Sequence, residues 1–554
     1  MTPQKQSRGT LAVVAVAVAA AATSLVNQFT LDDAGLIVGT DRLHGLVHWR
    51  EILASPYWPP PYAQDLYRPL TSLLLALQYQ LGAGSPLVFR LVSLALIILA
   101  SVAVLRLGWR LCPPAVALGI ALLFAAHPVH VEAVVLAVAQ GEILVGLLGT
   151  SMVVVYLDGR RGKGLGRGDW LLLGAMYVAA GLTKEQGMVL PALLIAAELL
   201  LVRVPPWGAR VRDLWQGYAA LALLAGLVLL LRGIVLHGTP LLAAPAPALM
   251  GLSLAGRTLT MLQVVPEWLR LLAWPWHLRA DYSPAEFVAS REFGISEALG
   301  LAILIAAVAI FWLARRRAPV VAFGLAWCAI MLLPVSNLFV PTGILLAERT
   351  LFSPSIGFLI AAGGAAAWFA ERSWFEAASR RRLLAAACVG LVLAGIVRSG
   401  VREREYRDAV ALTFASARDA PRSARVQQSL GETLFDQGRT AEAVAAFRRA
   451  IAFSPEPWAL RIALARRLRV VGDDEGALEE LRLSLAQRPT QAAMAELAAA
   501  LLAVGKYAQA ARIAEGIIAS GDAPPIMLWL KRVADSAQAV GAPPGSVRVG
   551  ILRN

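Results

Sequence analysis

Charged side chains lie in the segments that separate long apolar runs, and several of them are acid and base neighbours. A carboxylate can take a proton from a hydroxyl nucleophile, and an arginine can bind two phosphate oxygens at once. Such residue types suit the transfer of a group that leaves a phosphate behind. The candidates are Asp32, Asp33, Arg68, Glu142, Lys184, Glu185, Glu348 and Arg349. Because an ionisable group in mid-membrane costs about 2.5–3.5 kcal/mol, we expect them to share a polar cavity.

A simpler role is open for four of these residues. Lys184 and Glu185 are sequence neighbours, as are Glu348 and Arg349. Each couple could be a structural ion pair at a helix end rather than part of a reactive site.

Two histidines form a further candidate group. His127 and His130 are three residues apart, which puts both on one face of a helix, with Glu132 close behind and Glu142 further along the same predicted helix. Two imidazoles and a carboxylate could ligate a metal ion. Only two of the six histidines are placed in this way. We therefore predict that these residues line the pocket and that no metal is resident. A bound divalent ion is the alternative.

The elements that position these residues are membrane spans. Hydrophobic residues make up 58% of the chain and charged residues 16%, which is too apolar for a soluble protein. A span needs about 20 largely apolar residues. About eleven spans are predicted, at 11–26, 87–107, 114–127, 131–157, 170–182, 187–203, 214–232, 296–314, 319–334, 343–369 and 383–399.

Loop charge orients these spans. Arginines follow the even-numbered spans, as Arg160 and Arg161 follow the fourth and Arg315 follows the eighth. Because positive loops stay in the cytoplasm, we predict a multi-pass protein of the inner (cytoplasmic) membrane with a cytoplasmic N-terminus. The site candidates and everything after about residue 400 then lie on the outer, periplasmic side. These loops largely explain the net charge of +14, so no nucleic-acid partner is predicted.

The first span has a second interpretation. A basic start and an apolar, alanine-rich core fit a cleaved signal peptide as well as a membrane anchor. Cleavage would not move the later loops.

Residues after about 400 repeat with a period of 34. Pro421, Pro455 and Pro489 keep this spacing, as do Gly438 and Gly472, and Gly505 follows one residue short of the next step. The period is typical of tetratricopeptide repeats, which are stacked helix pairs. We predict two good repeats, a degenerate third, and a half-repeat at 405–423. Such stacks usually bind extended peptides, although three repeats could serve only as a dimerisation or docking arm.

Five blocks in order along the chain resemble the transmembrane and tetratricopeptide-repeat protein O-mannosyltransferases, in a bacterial version. The blocks are Phe29–Asp33, Tyr67–Thr71, His127–Ala133, Lys184–Gly187, and Ser336–Phe339 followed by Glu348–Ser355. Together they are far more specific than any one alone. The stretch Ala139-Gln140-Gly141-Glu142 departs from the family's pattern, because the acid is kept while the expected arginine is missing.

The resemblance implies a GT-C class glycosyltransferase, an integral membrane enzyme that takes a sugar from a polyprenyl-phosphate carrier. By that resemblance Asp33 or Asp32 is the general base on an acceptor hydroxyl. Arg68 and Arg349 are then candidates for holding the lipid phosphate. The remaining pocket candidates are His127, His130, Glu132, Glu142, Lys184, Glu185 and Glu348.

The predicted fold is therefore all-α, with a GT-C-like membrane domain at 1–400, repeats at 405–520, and a capping helix and tail at 521–554. Long outer loops are predicted at 27–86 and 233–294. The predicted function is transfer of a hexose, mannose first, to Ser or Thr hydroxyls of exported proteins, which the repeats would present. Two alternatives remain: transfer to a lipid-linked glycan or polysaccharide, and a non-enzymatic membrane-anchored scaffold.

Overall fold

The computed structural model describes residues 2–60, 62–202, 206–237, 245–282, 285–290, 292–372, 377–519 and 525–547. Within these residues all regular structure is helical, with no strand, which confirms the all-α prediction. The chain divides into two compact units, Met1–Ala415 and Ser416–Asn554. Parts of the predicted outer loop (238–244, 283–284 and 291) and of the predicted tail (521–524 and 548–554) lie outside the described residues.

The first unit is built from fifteen described α-helices. They are α1 Pro3–Ala21, α2 Trp49–Ala54, α3 Pro69–Gly82, α4 Pro86–Leu111, α5 Pro114–Ala125, α6 Val131–Val135, α7 Gln140–Arg161, α8 Arg167–Thr183, α9 Leu190–Leu201, α10 Trp207–Val235, α11 Leu254–Ala273, α12 Ile295–Arg317, α13 Pro319–Leu332, α14 Phe352–Arg372 and α15 Ala377–Glu405. Several begin on a proline, which suits a first helical turn because its N–H would have no partner there.

Each predicted span coincides with a helix, except that 131–157 contains both α6 and α7. Length separates the helices into two groups. Within the described residues seven helices are long and apolar enough to cross a membrane, namely α1, α4, α7, α10, α12, α14 and α15. The count is eight if α5 and α6, bent by 43° at their junction, form one broken span. The predicted count of eleven is therefore not reached by length and composition.

The three remaining predicted spans are short. Helices α8, α9 and α13 have 17, 12 and 14 residues, below the roughly 20 residues that a hydrocarbon core requires. Each packs against neighbouring helices: α13 contacts α9, α12 and α14, and α8 contacts α7 and α10. The sequence predicted three full spans because their apolar composition does not show where each helix ends.

Helices α13 and α14 approach each other closely through glycines. A Cβ placed on Gly357 would lie 2.6 Å from the carbonyl oxygen of Gly324, and a Cβ on Gly324 would lie 2.4 Å from the Ala361 nitrogen. Side chains at these two positions would therefore push the backbones apart. Small residues at helix crossings allow this kind of contact between membrane helices.

The predicted single helix after residue 131 is interrupted. Helix α6 ends at Val135, Leu136 is extended (φ −101°, ψ 119°), and α7 begins only at Gln140. The prediction that Glu132 and Glu142 share one helix is therefore wrong. A break of this kind frees backbone amides inside the bundle, and they need an acceptor from elsewhere in the chain.

Both long outer loops contain helices that were not predicted. The segment 27–86 contains α2 and α3, and the segment 233–294 contains α11. Helix α11 buries Met261, Val264, Val265, Trp268, Leu271 and Leu272. Their spacing of three and four residues is that of one helical face, so the sequence did contain the signal.

The second unit consists of helix pairs. They are α17 Ala424–Asp436 with α18 Thr440–Phe453, α19 Trp458–Val471 with α20 Asp474–Gln487, and α21 Gln491–Ala503 with α22 Tyr507–Ala519. Helix α16 (Ala409–Asp419) lies where the half-repeat was predicted, and α23 (Pro525–Ala539) follows the third pair. Gly438, Gly472 and Gly505 turn the chain between the helices of each pair at φ of 74°, 89° and 78°, a conformation that glycine adopts without strain.

Candidate functional site

The sequence-predicted site residues meet at one end of the first unit. Helix α8 ends there, just before Lys184, and α1 ends there with a 3-10 turn (Ala22–Val26) that leads to the loop of Asp32, while α4, α7 and α14 begin there. Because neighbouring helices of the bundle run in opposite directions, residues far apart in sequence reach the same end. The charged residues divide into four hydrogen-bonded groups.

The first group holds Asp33, which is completely buried. One carboxylate oxygen of Asp33 lies 3.1 Å from the guanidinium of Arg90 and 3.0 Å from the amide nitrogen of Ala137, and the other lies 3.0 Å from the amide of Val138. Neither Asp33 nor Arg90 exposes any side-chain surface. Asp33 thus accepts hydrogen bonds from the backbone amides that the break before α7 leaves without a helical partner. Its oxygens do not face solvent.

The second group holds Asp32 and Arg349. The Arg349 guanidinium lies 2.7 Å from one carboxylate oxygen of Glu132, and its main-chain N–H lies 2.9 Å from the other. The same guanidinium reaches Asp32 at 3.4 Å. The side chain of Asp32 is 36% exposed, against 4% for Glu132. Of the two sequence-predicted bases, Asp32 is therefore the one that a substrate can reach.

The third group is an ion pair between Lys184 and Glu142, with exposures of 12% and 1%. Burial lowers the pKa of Lys184, the nearby Glu142 carboxylate opposes that shift, and the charges of Arg68 and Arg349 reinforce it. The ammonium group therefore lies within electrostatic range of both arginines that were predicted to hold a phosphate. Gly187, which follows this turn, packs so closely on α8 that a Cβ there would lie 2.3 Å from the Ala180 carbonyl.

The fourth group places Glu185 between two arginines. Arg68 donates to both oxygens of Glu185, at 2.7–3.2 Å, and Arg232 of α10 donates at 2.9 Å. Burial alone would raise the pKa of Glu185, but the two guanidiniums outweigh it and lower this pKa to about 2. Glu185 is therefore a fixed negative charge that orients Arg68.

Tyr57 lies between the second and fourth groups. The Arg68 guanidinium stands 5.2 Å above its ring. Burial raises the pKa of the Tyr57 hydroxyl, and the charges of Arg68, Asp32 and Arg349 all act on it. Charges from the second and fourth groups therefore act on one buried hydroxyl.

The local ion pairs considered from the sequence do not form. Lys184 binds Glu142 while its neighbour Glu185 binds arginines. Glu348 turns away from Arg349: it accepts from the main-chain N–H of Arg279 and from the Tyr282 hydroxyl at 3.0 Å. Sequence adjacency could not reveal this, because consecutive residues at the start of a helical turn point in different directions.

The histidines have partners that do not suggest a metal centre. His127 Nε2 lies 3.1 Å from the Leu272 carbonyl oxygen, and His130 Nε2 lies 2.8 Å from the Ser355 hydroxyl. Both rings are buried, and Glu132 is engaged by Arg349. Among the described residues no group of three His, Cys, Asp or Glu side chains could hold a metal ion.

Sequence reasoning missed three residues of this site: Arg90, Arg232 and Tyr57. Arg90 is a lone arginine near the start of a predicted span, and Arg232 closes another. A charge within an apolar span is expensive and usually has a function, so both carried a usable signal. Tyr57 had none, because an aromatic residue in a predicted loop is unremarkable.

Fold and site together define a multi-span membrane protein with a charged site at one end of its bundle and a helical repeat unit after it. A family model described as tetratricopeptide repeat matches residues 434–501, which confirms the predicted repeats.

Comparison with curated proteins gives the family likeness. The mouse protein O-mannosyl-transferase TMTC4 is 26% identical over 482 residues, which cover 77% of this chain and 64% of that protein. Its human counterpart is 25% identical over 484 residues, covering 78% and 65%. The Drosophila melanogaster protein O-mannosyl-transferase Tmtc3 is 26% identical over 475 residues, covering 72% and 50%. The predicted resemblance is thus confirmed, and this chain spans between half and two thirds of these relatives' length.

Proposed function

We propose that this chain is an integral membrane glycosyltransferase that moves a hexose from a polyprenyl-phosphate carrier to Ser or Thr hydroxyls of exported proteins. The similar mouse and Drosophila proteins are named protein O-mannosyl-transferases, which makes mannose the first sugar to test. The observation that carries the proposal is the placement of Asp32. It is a partly exposed carboxylate, 3.4 Å from a guanidinium, next to a buried aspartate that cannot take its place.

In the proposed reaction Asp32 is the general base and the lipid phosphate is the leaving group. The Asp32 carboxylate takes the proton of the acceptor hydroxyl, and the oxygen attacks the anomeric carbon of the sugar. The bond from that carbon to the phosphate oxygen breaks, and the lipid phosphate leaves with the electron pair. A direct displacement of this kind inverts the anomeric centre.

The leaving phosphate needs positive charge at its oxygens. Arg349 and Arg68 can supply it, because each is oriented by a carboxylate, Glu132 for Arg349 and Glu185 for Arg68, and because guanidinium binds phosphate bidentately. Lys184 lies within electrostatic range of both. Three cations fixed before the reaction lower the cost of charge that develops on the leaving group.

The proposed side of the membrane is the outer one. Helix α4 runs from Arg90 at the site to Arg110 at its other end, and α7 runs from Glu142 to Arg160 and Arg161. The arginine-rich ends belong in the cytoplasm by the positive-inside rule. The site then faces outward, where a lipid-linked donor is available and a nucleotide sugar is not. The N-terminus is then cytoplasmic, in the inner membrane of a bacterial cell, and the repeats lie outside.

The repeats would present the acceptor polypeptide. Tetratricopeptide stacks are typical of protein–protein interaction, and stacked repeats form extended concave surfaces that suit a chain without secondary structure. Removal of residues 416–554 is therefore expected to lower transfer to protein more than transfer to a short free peptide.

The test is transfer of radiolabelled mannose from a polyprenyl-phosphate donor by membranes that contain the full chain, with product separated into protein, lipid and glycan fractions. Wild type is compared with Asp32→Ala and with Asp41→Ala, whose fully exposed side chain lies in the same loop. We expect label in protein that disappears with Asp32→Ala and persists with Asp41→Ala.

The other outcomes are equally informative. Label in lipid or glycan would keep the enzyme and change the acceptor. Absence of label with mannose, glucose and N-acetylhexosamine donors would overturn the proposal and favour a membrane-anchored scaffold.

A further inference from the structure

We infer that Arg90 is a positioning residue: it fixes the segment 27–33 so that Asp32, and not Asp33, faces the reactants. The catalytic part of this inference rests on the function proposed above, whereas the ordering of the segment does not. Arg90 itself reaches no reactant, because none of its side chain is exposed.

The burial of Arg90 requires an explanation. It lies one turn inside α4, a helix of 26 residues whose other charged residues, Arg106 and Arg110, stand near its far end. A charged side chain in this setting costs several kcal/mol unless it is paired and hydrogen-bonded. A residue that served only to fill space here would be apolar.

Its contacts all lead to one segment. The guanidinium donates to the carbonyl oxygens of Asn27 at 3.4 Å and Gln28 at 2.8 Å, and to the Asp33 carboxylate at 3.1 Å. It also stands 5.8 Å above the ring of Phe29. Both ends of the seven-residue segment are therefore bound to the same planar group.

The backbone inside this segment is strained. Leu31, immediately before Asp32, has a φ of +48°. A non-glycine residue in this region costs on the order of 1–3 kcal/mol and persists only where its surroundings impose it. Arg90 contributes to that restraint from both ends of the segment, together with hydrogen bonds from the Asn27 side chain and the Gln28 main chain to the carbonyl oxygens of Glu403 and Arg407. Within the segment so held, the Asp32 side chain is 36% exposed and the Asp33 side chain is fully buried.

Lysine could not do the same work. The planar guanidinium directs several N–H groups in a fixed fork, whereas an ammonium is a point charge on a flexible stem. Arg90→Lys keeps the buried charge and its attraction to Asp33 but cannot hold both carbonyls and the carboxylate together. The variant thus separates positioning from simple charge compensation.

The experiment compares the full-length wild type with Arg90→Lys and Arg110→Lys. The control stands at the other end of the same helix, where Arg110 pairs with Asp158, which is 53% exposed. Amide hydrogen exchange of residues 27–38 is measured in detergent, together with thermal unfolding, and kcat and KM for the lipid-linked donor are measured in membranes.

We expect Arg90→Lys to accelerate exchange in this segment and to lower kcat, each by about tenfold or more, because small misplacements of a reacting group have effects of this size. KM for the donor should stay within about twofold, since the phosphate-binding arginines are elsewhere. Arg110→Lys should change none of these quantities.

Three results would overturn the inference: unchanged exchange in Arg90→Lys, a kcat equal to wild type despite faster exchange, or a loss of kcat that follows only from a lower amount of folded protein. If the wild type transfers no sugar, the proposed function fails. The amide hydrogen exchange of residues 27–38 then tests by itself whether Arg90 orders this segment. If Arg90→Lys does not insert, the double variant Arg90→Gln, Asp33→Asn, which removes both buried charges, is measured in its place with the same expectations.

Discussion

Both the main chain and the side chain of Arg349 donate to the carboxylate of Glu132, at 2.9 Å and 2.7 Å. The Glu132 side chain therefore fixes the turn that leads into α14, and it also fixes the direction of the Arg349 guanidinium. Arg349 reaches Asp32 from this position, so the loop after α1 and the helix α14 meet through a residue anchored on α6.

Removal of Glu132 should destabilise the membrane unit. Glu132→Ala leaves the largely covered Arg349, which is 17% exposed, without its main partner. The loss of one member of a fully buried pair costs about 3–5 kcal/mol, which sets the upper end of the expected effect. Thermal unfolding in detergent measures the effect. The matched control is Asp158→Ala, which breaks the more exposed pair with Arg110 and should cost at most about 1 kcal/mol. Equal effects of the two variants would show that Arg349 is not anchored as described.

The two neighbouring aspartates should differ in what they change. Asp32→Asn should reduce transfer by about a hundredfold or more while the protein stays folded, because an amide cannot take the acceptor's proton. Asp33→Ala should lower the unfolding temperature first, because Arg90 and two buried amides lose their acceptor. Transfer and thermal unfolding of both variants at matched expression would check this. An active Asp32→Asn with an inactive, stable Asp33→Ala would reverse the assignment.

The ion group around Glu185 should withstand acid. Its pKa in the folded protein is about 2, below the ordinary value of 4.5, so its stabilising effect is complete above about pH 4.5 and is lost as the pH falls toward 2. The difference in stability between wild type and Glu185→Gln should therefore be constant from pH 8 to about pH 4.5 and shrink below it. A difference that already shrinks between pH 7 and pH 5 would contradict the proposed pairing with Arg68 and Arg232.

The glycine contact between α13 and α14 should tolerate no side chain. Gly357→Val requires a Cβ 2.6 Å from the Gly324 carbonyl and should cost several kcal/mol, since helix backbones cannot yield as side chains do. Gly226→Ala, where a Cβ meets nothing within 4 Å, should be neutral or stabilise by up to about 1 kcal/mol. The amount of protein extracted in monodisperse form and its unfolding temperature would compare the two.

The sequence predicted the helical class, the repeats and the candidate residues because each leaves a local signal. Asp32 and Asp33 stood out as an acidic pair at a span end, but their spacing could not say which of them is buried. That depends on Arg90, which is 57 residues away from Asp33, and on amides more than 100 residues away. Contacts at such separations are set by the packing of α1, α4 and α7, and no local pattern records them.

The difference between eleven predicted spans and seven or eight long apolar helices has a related physical reason. A run of apolar residues shows that a helix avoids water. It does not show whether the helix is surrounded by lipid or by other helices. Helix α9 buries Leu193, Leu194 and Ala197 completely, so its short length is tolerated inside the bundle. The interruption before α7 was missed for the same reason, because its unpaired amides find their acceptor in a distant loop.

The carboxylate of Asp33 also constrains the order of biosynthesis. Its two amide donors are made 104 and 105 residues later, and its arginine 57 residues later. A lone carboxylate is too costly to bury before those partners arrive. The loop after α1 therefore stays in water while the five helices α2 to α6 are synthesised, and it docks only when the segment before α7 has been made. Substitutions at this position should accordingly be detected by the cell's quality control as late assembly failures, after α1 has already entered the membrane.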